Sequence, residues 1–361
     1  MTLTPLVLQA YRRPDTLPAL SLADWDLLLR QSVAGYVLAG LLAVVEEQGQ
    51  LEQLPAEVRE HLEWARTLAQ RHHQGVRYEV AMIARALAAC GLPLILLKGA
   101  AYTMAGLPPA RGRLYSDVDI IVPEASLPDV EAALMMHGWA ATHHDAYDQR
   151  YYRAWMHELP PMQHVLRHTV IDVHHAILPR TARARPDPDK LRAAAVPIAG
   201  SDGLYTFAPA DLVLHSAVHL FYDGELEHGL RDLVDIHRLL LHFGSQPGFW
   251  PALTARALEL DLARPLFYAL RYAGELLHTP IPAEAVQASA AERPAALLLP
   301  LMDALFRRAL LPVHASCGDA WTPLARFCLY LRANWLRMPP LQLARHLLHK
   351  ALLSPKKQQP E

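Results

Sequence analysis

Leu94-Ile-Leu-Leu-Lys-Gly-Ala-Ala-Tyr102 and Arg113-Leu-Tyr-Ser-Asp-Val-Asp-Ile-Ile-Val122 are the passages that decide the fold. Leu94 to Leu97 is an apolar run of strand length that stops at Lys98-Gly99, a turn signal. A short helix is expected from Ala100, then a basic loop containing Arg111 and Arg113. In the second passage Val118, Ile120 and Val122 alternate with Asp117 and Asp119. The period of two predicts a strand with its aliphatic residues on one face and both carboxylates on the other. Two acids so close, beside a glycine turn that opens a helix, suit a divalent cation and a phosphate.

Outward from this point the chain is mostly helical. Pro5, Pro14 and Pro18 mark an irregular lead-in, and Ser21-Leu-Ala-Asp24 is a capping-box-like helix start with Asp where Glu or Gln is usual. Apolar residues then recur at helical spacing, and the run Val33–Val45 predicts a buried helix, too short to span a bilayer. A long helix is expected from about Ala56 to Ala89, ended by Gly91 and Pro93. Beyond the two passages, Leu127 to Met136 is amphipathic and closes at Gly138. The aromatic, His-rich residues 140–168 predict one or two strands beside a cleft. Thr169-Val-Ile-Asp-Val-His174 predicts a further strand with Asp172 and His174 on one face. Residues 179–188 read as a basic loop carrying Arg180, Arg183 and Arg185. Helices are expected over 210–221, 230–243, 251–258, 262–277, 294–310 and 323–353, followed by a polar tail. The expected division is a helical region over 1–92, a catalytic core over 93–200, a helical domain over 201–353 and a frayed tail over 354–361.

Composition narrows the function classes. The 361 residues are 52% hydrophobic and 19% charged, enough for a large core. A balance of 34 basic and 36 acidic residues, net charge −2, argues against a globally basic nucleic-acid binder. Cys90, Cys317 and Cys328 form no CxxC pair and are odd in number, which favours a reducing cytoplasm over a disulfide framework. No secretory signal and no membrane insertion are expected.

The chemistry rests on Asp117, Asp119 and Asp172. Aspartate is disfavoured inside strands, and three buried carboxylates would repel one another unless a cation neutralised them. Magnesium suits such an oxygen-rich site and shares its remaining positions with substrate phosphates. Two such ions would stabilise the attacking and leaving oxygens of a phosphoryl displacement. Asp172 can also accept a proton from an attacking hydroxyl. Gly99 would admit a phosphate to the backbone, and Lys98, Arg111 and Arg113 are the cations at hand. The plain alternatives are solvated acids at a strand end for Asp117 and Asp119, and a local pairing with His174 or an arginine for Asp172. Ser116 either caps a turn or touches substrate.

Lys98-Gly99, Ser116-Asp-Val-Asp119 and Ile171-Asp-Val-His174, in that order, resemble the nucleotidyltransferase superfamily with a DNA polymerase β-type palm. More narrowly, they resemble an uncharacterised bacterial nucleotidyltransferase family within it, and His219 and Arg231 to Leu240 loosely match that family's C-terminal helical pattern. The resemblance covers roughly residues 20–245 and is strongest over 94–175. It implies an α+β fold, a mixed sheet with helices on one face flanked by helical regions. It implies transfer of a nucleoside monophosphate from an NTP such as ATP to a hydroxyl acceptor, with Mg²⁺ or Mn²⁺ in a two-metal site. Asp117, Asp119 and Asp172 would be catalytic metal ligands; Lys98, Gly99, Arg113 and Ser116 would bind the nucleotide; Arg111 and His174 would contact substrate. Where the superfamily has Gly-Ser or Gly-Gly after its first strand, this chain has Gly99-Ala100 and so lacks a phosphate-touching hydroxyl.

The acceptor is open between a protein, a peptide and a small molecule; the near-neutral charge weighs against tRNA. Two rivals are a non-catalytic nucleotide- or peptide-binding member of the same fold and a His/Asp metal-dependent hydrolase. The second draws on His143, His144, His157, His164, His168, His174 and His175, although no HExxH or Cys/His spacing for zinc occurs. His215 and His219, four apart on an apolar helix, are core or cleft residues before they are ligands. Arg231 and Asp235 at the same spacing predict a helix pair.

Overall fold

Leu94–Leu96, with apolar side chains at every position, becomes an inner strand of a mixed sheet in a computed structural model. The structure describes residues 4–115, 117–142, 152–153, 155–222, 224 and 226–339. Ser116, His143, His144, the expected helix beyond 339 and the tail lie outside the described residues. The strands are β1 (Leu94–Leu96), β2 (Asp117–Ile121), β3 (Trp139–Ala141), β4 (Met162–His164), β5 (Val170–His174), β6 (Val196–Pro197) and β7 (Leu204–Thr206). Their order is β3-β4-β5-β2-β1-β7-β6. β2 runs antiparallel to β1 and parallel to β5, while β1 runs parallel to β7. The fold is α+β, with a seven-stranded mixed sheet and many helices.

Strand alternation gives the sheet two unlike faces. Leu94, Leu96, Val118, Ile120, Ile171 and Val173 form one. They pack on Val76, Val80, Ile83 and Leu87 of the long helix Ala56–Leu87 and on Val130 and Leu134 of the helix Leu127–Met136. Each such aliphatic side chain contributes about 2 kcal/mol when removed from water. The opposite face carries Asp117, Asp119, Asp172 and His174, while Ile95 and Ile121 on it join the core of the C-terminal helices. Helices therefore seal one face and leave the carboxylates facing a helical wall.

The flanking helices come together far from one another in sequence. Trp25, Leu28, Leu41 and Leu62 share one hydrophobic cluster with Leu212, Phe221, Leu239 and Phe306. Ser21 caps the helix Leu22–Ala34 as expected, its Oγ accepting from the Asp24 amide and donating to the Asp24 carboxylate. The helix expected through Val33–Val45 is instead two helices, Leu22–Ala34 and Leu38–Glu47. Between them Tyr36 takes a left-handed φ of 58°, and a Cβ on Gly35 would meet Leu230 and Pro312 at 3.1 Å. The turn thus follows the helices packed behind it. Strands β6 and β7 and the helix Ala283–Ala290 were not expected from the sequence. Among the described residues no helix is long and apolar enough to cross a membrane.

Candidate active site

Parallel pairing of β2 with β5 sets the centre. Its register makes Asp119 the Cα partner of Asp172, and Asp117 the partner of Val170. Register partners on neighbouring strands, spaced about 4.8 Å, project to the same face. The three acids chosen from sequence are therefore brought together. Asp119 is 4% exposed; Asp117 and Asp172 are half-buried.

Two donors converge on one oxygen of Asp119. Lys98 Nζ lies 3.2 Å from Oδ1, and His174 Nε2 lies 3.0 Å from the same atom. Burial raises the Asp119 carboxyl, but Lys98 and His174 outweigh it and hold the group well below the usual carboxylate range. Asp172 has no such support. Its Oδ1 is buried without a hydrogen-bond partner. Burial, then the charges of Asp119 and Glu158, push its pKa up to about 8. A buried carboxylate oxygen beside a second carboxylate fits a divalent cation, which would supply the missing partner and charge. The residues present thus fit Mg²⁺ or Mn²⁺ at Asp117, Asp119 and Asp172.

Lys98 reaches Asp119 from a strained position. Its φ is +42°, unusual for a residue with a Cβ, at the start of the helix Lys98–Met104. Gly99 follows for a steric reason the sequence did not reveal. A Cβ there would come within 2.4 Å of the Tyr115 ring. Gly99 is therefore roofed by Tyr115 in this conformation. Tyr115 is tied in turn to the long helix, since its backbone contacts His72 Nδ1.

The arginines lie elsewhere. Arg111 is exposed and pairs with Glu47 at 3.3 Å. Arg113 is 12% exposed, ion-paired to Asp235 and 3.9 Å from Asp232, with its guanidinium 5.9 Å from the rings of Tyr102 and Tyr115. The expected Arg231–Asp235 helix pair is replaced. Arg231 bonds Asp232 at 2.8 Å, because Asp235 on the helix Gly229–Gly244 is taken by Arg113 from the loop before β2. His219 Nδ1 lies 3.4 Å from Asp232, whereas His215 is buried against Phe207. In the basic loop, Arg180 pairs with Glu124, and Arg183 sits 5.0 Å over the Trp335 ring.

Glu158 is the residue that sequence reasoning missed. It forms an isolated bridge with His174, and its Oε2 lies 3.2 Å from His174 Nδ1. Burial lowers the pKa of His174, but Glu158 and Asp119 raise it above its ordinary value. No periodicity marks Glu158, which precedes Leu159-Pro-Pro; only strand pairing brings it to the site. Beside Asp117 a cavity of about 390 Å³ opens at the start of β2 and β5, lined by Arg71, His72, Glu79, Tyr115 and Thr169. Its volume is in the range of small-molecule sites.

Residues 21–278 match the family described as "Uncharacterised nucleotidyltransferase". The chain belongs to this family. The match spans the sheet, the three acids and the helices facing them, so a nucleotidyltransferase of that family carries the carboxylate cluster described above. No curated protein matches the chain. No solved structure matches it either.

Proposed function

We propose that this nucleotidyltransferase is metal-dependent and moves a nucleoside monophosphate from an NTP to a hydroxyl acceptor, with release of pyrophosphate. The observation that carries the reading is Asp172. Its buried, unpartnered oxygen beside Asp119 is costly in a protein without a cation and useful in one that binds it. Asp117, Asp119 and Asp172 would hold one or two Mg²⁺ or Mn²⁺ ions. When bound, such ions neutralise the charge of the transferring phosphoryl group and of its attacking and leaving oxygens.

The chain's own residues supply the rest. A bond forms between the acceptor oxygen and the α-phosphorus as the bond to the pyrophosphate oxygen breaks. The proton released by the acceptor hydroxyl passes to the Asp172 carboxylate oxygen that would not be on the cation. His174 and Lys98 orient Asp119, and the ammonium of Lys98 is the cation nearest the phosphates. The cavity beside Asp117 receives the substrate group that extends past the sheet. Arg113 shapes the loop before β2 through its clamp on Asp232 and Asp235. The three cysteines are free, in keeping with a cytoplasmic protein.

The test is transfer of label from each α-labelled NTP, with magnesium and cell extract, to an acid-stable product. Wild-type protein is expected to label an acceptor, and Asp117→Asn with Asp119→Asn to abolish labelling. Equal labelling by the variant overturns the reading.

A further inference from the structure

We infer that His157, Glu158 and His174 form a second metal site beside the carboxylate cluster, selective for a divalent transition metal of zinc's class rather than magnesium. One ligand atom from each of the three residues lies within 4.8 Å of the other two. Glu158 Oε2 is 3.2 Å from His174 Nδ1 and 4.0 Å from His157 Nε2. Ligands at 2.0–2.1 Å around a tetrahedral zinc are roughly 3.3 Å apart. The Glu158–His174 edge is already at that spacing, the Glu158–His157 edge needs to close by less than about 1 Å, and the His157–His174 edge by no more than about 1.5 Å.

The donor set decides the metal. Two imidazoles and one carboxylate suit zinc, cobalt or iron, whereas magnesium prefers carboxylates, phosphates and water. Three protein ligands leave a fourth position open to water or substrate.

The backbone has built the site. The His175 amide donates to the His157 carbonyl at 2.8 Å, and the Leu159 amide donates to the Val173 carbonyl at 2.9 Å. With the Glu158–His174 bridge between them, these bonds fix residues 157–159 along β5. A nitrogen is also available. Nδ1 of His174, the atom facing Glu158, is buried with no hydrogen-bond partner, and His174 is 3% exposed. The 3.2 Å approach of Glu158 to His174 therefore lacks hydrogen-bond alignment, as fits two groups meant for a shared cation.

The outer shell completes the pattern. His174 points its other nitrogen, Nε2, at Asp119 Oδ1, 3.0 Å away. A metal-bound histidine held by a carboxylate on its far nitrogen is a recurring arrangement that fixes the ring's tautomer. A metal on His174 Nδ1 would make Nε2–H a permanent donor to Asp119. The ion would thereby position a carboxylate of the neighbouring cluster.

The experiment uses the full chain without a polyhistidine tag, stripped with chelator and titrated with zinc alone in millimolar magnesium. Cobalt(II) serves as the absorbance probe, and circular dichroism checks the fold. One tight equivalent of zinc is expected in wild-type protein and in Asp172→Asn. His157→Ala and the nearly isosteric Glu158→Gln are expected to weaken binding at least about tenfold. Absence of stoichiometric zinc in wild-type protein overturns the inference. So does wild-type affinity in a folded Glu158→Gln. Loss of zinc in Asp172→Asn equal to that in Glu158→Gln overturns it too, by assigning the ion to the carboxylate cluster; the proposed transfer reaction would stand apart from that result.

Discussion

The two faces of β2 and β5 are made by alternate residues of the same ten positions, yet they obey opposite rules. On one face Val118, Ile120, Ile171 and Val173 are at most 3% exposed and pack on two helices. On the other, the buried Asp119 carboxylate is held by Lys98 and His174, and Asp172 has an oxygen with no hydrogen-bond partner. One face follows ordinary core chemistry and fixes the fold. The other departs from it at a cost in stability, which is common where a site must be ready for a ligand.

The largest expected effect tests that asymmetry directly. Asp172→Asn is expected to lower nucleotide transfer by about 10³-fold or more, about 4 kcal/mol of barrier. The same variant should stabilise the metal-free protein by about 1 kcal/mol or more. The sign follows from the pKa. The Asp172 carboxyl titrates near its ordinary 3.8 when unfolded and near 8 when folded without metal. The folded state is thus favoured below the lower value and progressively penalised as pH rises through the higher one. The gain from Asn should be largest near pH 8–9. Urea midpoints that fall in the variant at that pH would break the comparison.

The packed face should respond the other way. Ile171→Ala removes a fully buried side chain one position from Asp172 and should cost about 3 kcal/mol of stability. Transfer per folded molecule should stay within a few-fold of wild type. A large fall in specific activity without destabilisation would show that the two faces are not separable.

Arg113 lies between these cases. It is expected to touch nucleotide on the strength of its place before Asp117, but it is clamped by Asp235 and Asp232 on the helix Gly229–Gly244. Arg113→Ala should therefore cost about 3 kcal/mol, because it leaves the nearly buried Asp235 carboxylate without its cation, while Asp232 keeps Arg231 at 2.8 Å. The double change Arg113→Ala with Asp235→Asn should recover part of that loss. Unchanged unfolding in Arg113→Ala, with a raised KM for NTP, would return the residue to the phosphates.

What could be read from the chain follows from range. Asp117, Asp119 and Asp172 were legible because alternation within a strand is local, and their meeting needed only one parallel pairing. The sheet's central strands and the long helix were legible for the same reason, each carrying its own period. The short strands β6 and β7 have two and three residues, too few to show a period, and exist through pairing with β1. The break at Gly35–Tyr36 was hidden because it answers to Leu230 and Pro312, nearly 200 or more residues away. Glu158 and the Arg113 clamp were hidden likewise, since each is defined by a partner on a different element. Gly99 was recognised as special, but its neighbour is the Tyr115 ring rather than open space for a phosphate.

The smallest expected effect comes from a buried titratable group that, unlike Asp172, has its partner. His237 is 8% exposed among the C-terminal helices, and its Nδ1 lies 2.7 Å from Thr279 Oγ1. The Thr279 hydroxyl already donates to the Ala273 carbonyl, so Nδ1 is the donor. Burial, reinforced by Arg238, lowers its pKa from 6.5 to about 4. For a base depressed in this way, stability is complete above the unfolded value and falls as pH drops through the interval from 6.5 to 4. By pH 5 the loss should reach about 2 kcal/mol. His237→Asn keeps a donor toward Thr279 and cannot titrate there. Its urea-unfolding free energy should accordingly fall by about 2 kcal/mol less than wild type's between pH 7 and pH 5. Parallel pH profiles would mean that His237 takes up its proton without cost, and that a satisfied hydrogen bond does not separate an ordinary core histidine from the unpartnered groups of the carboxylate face.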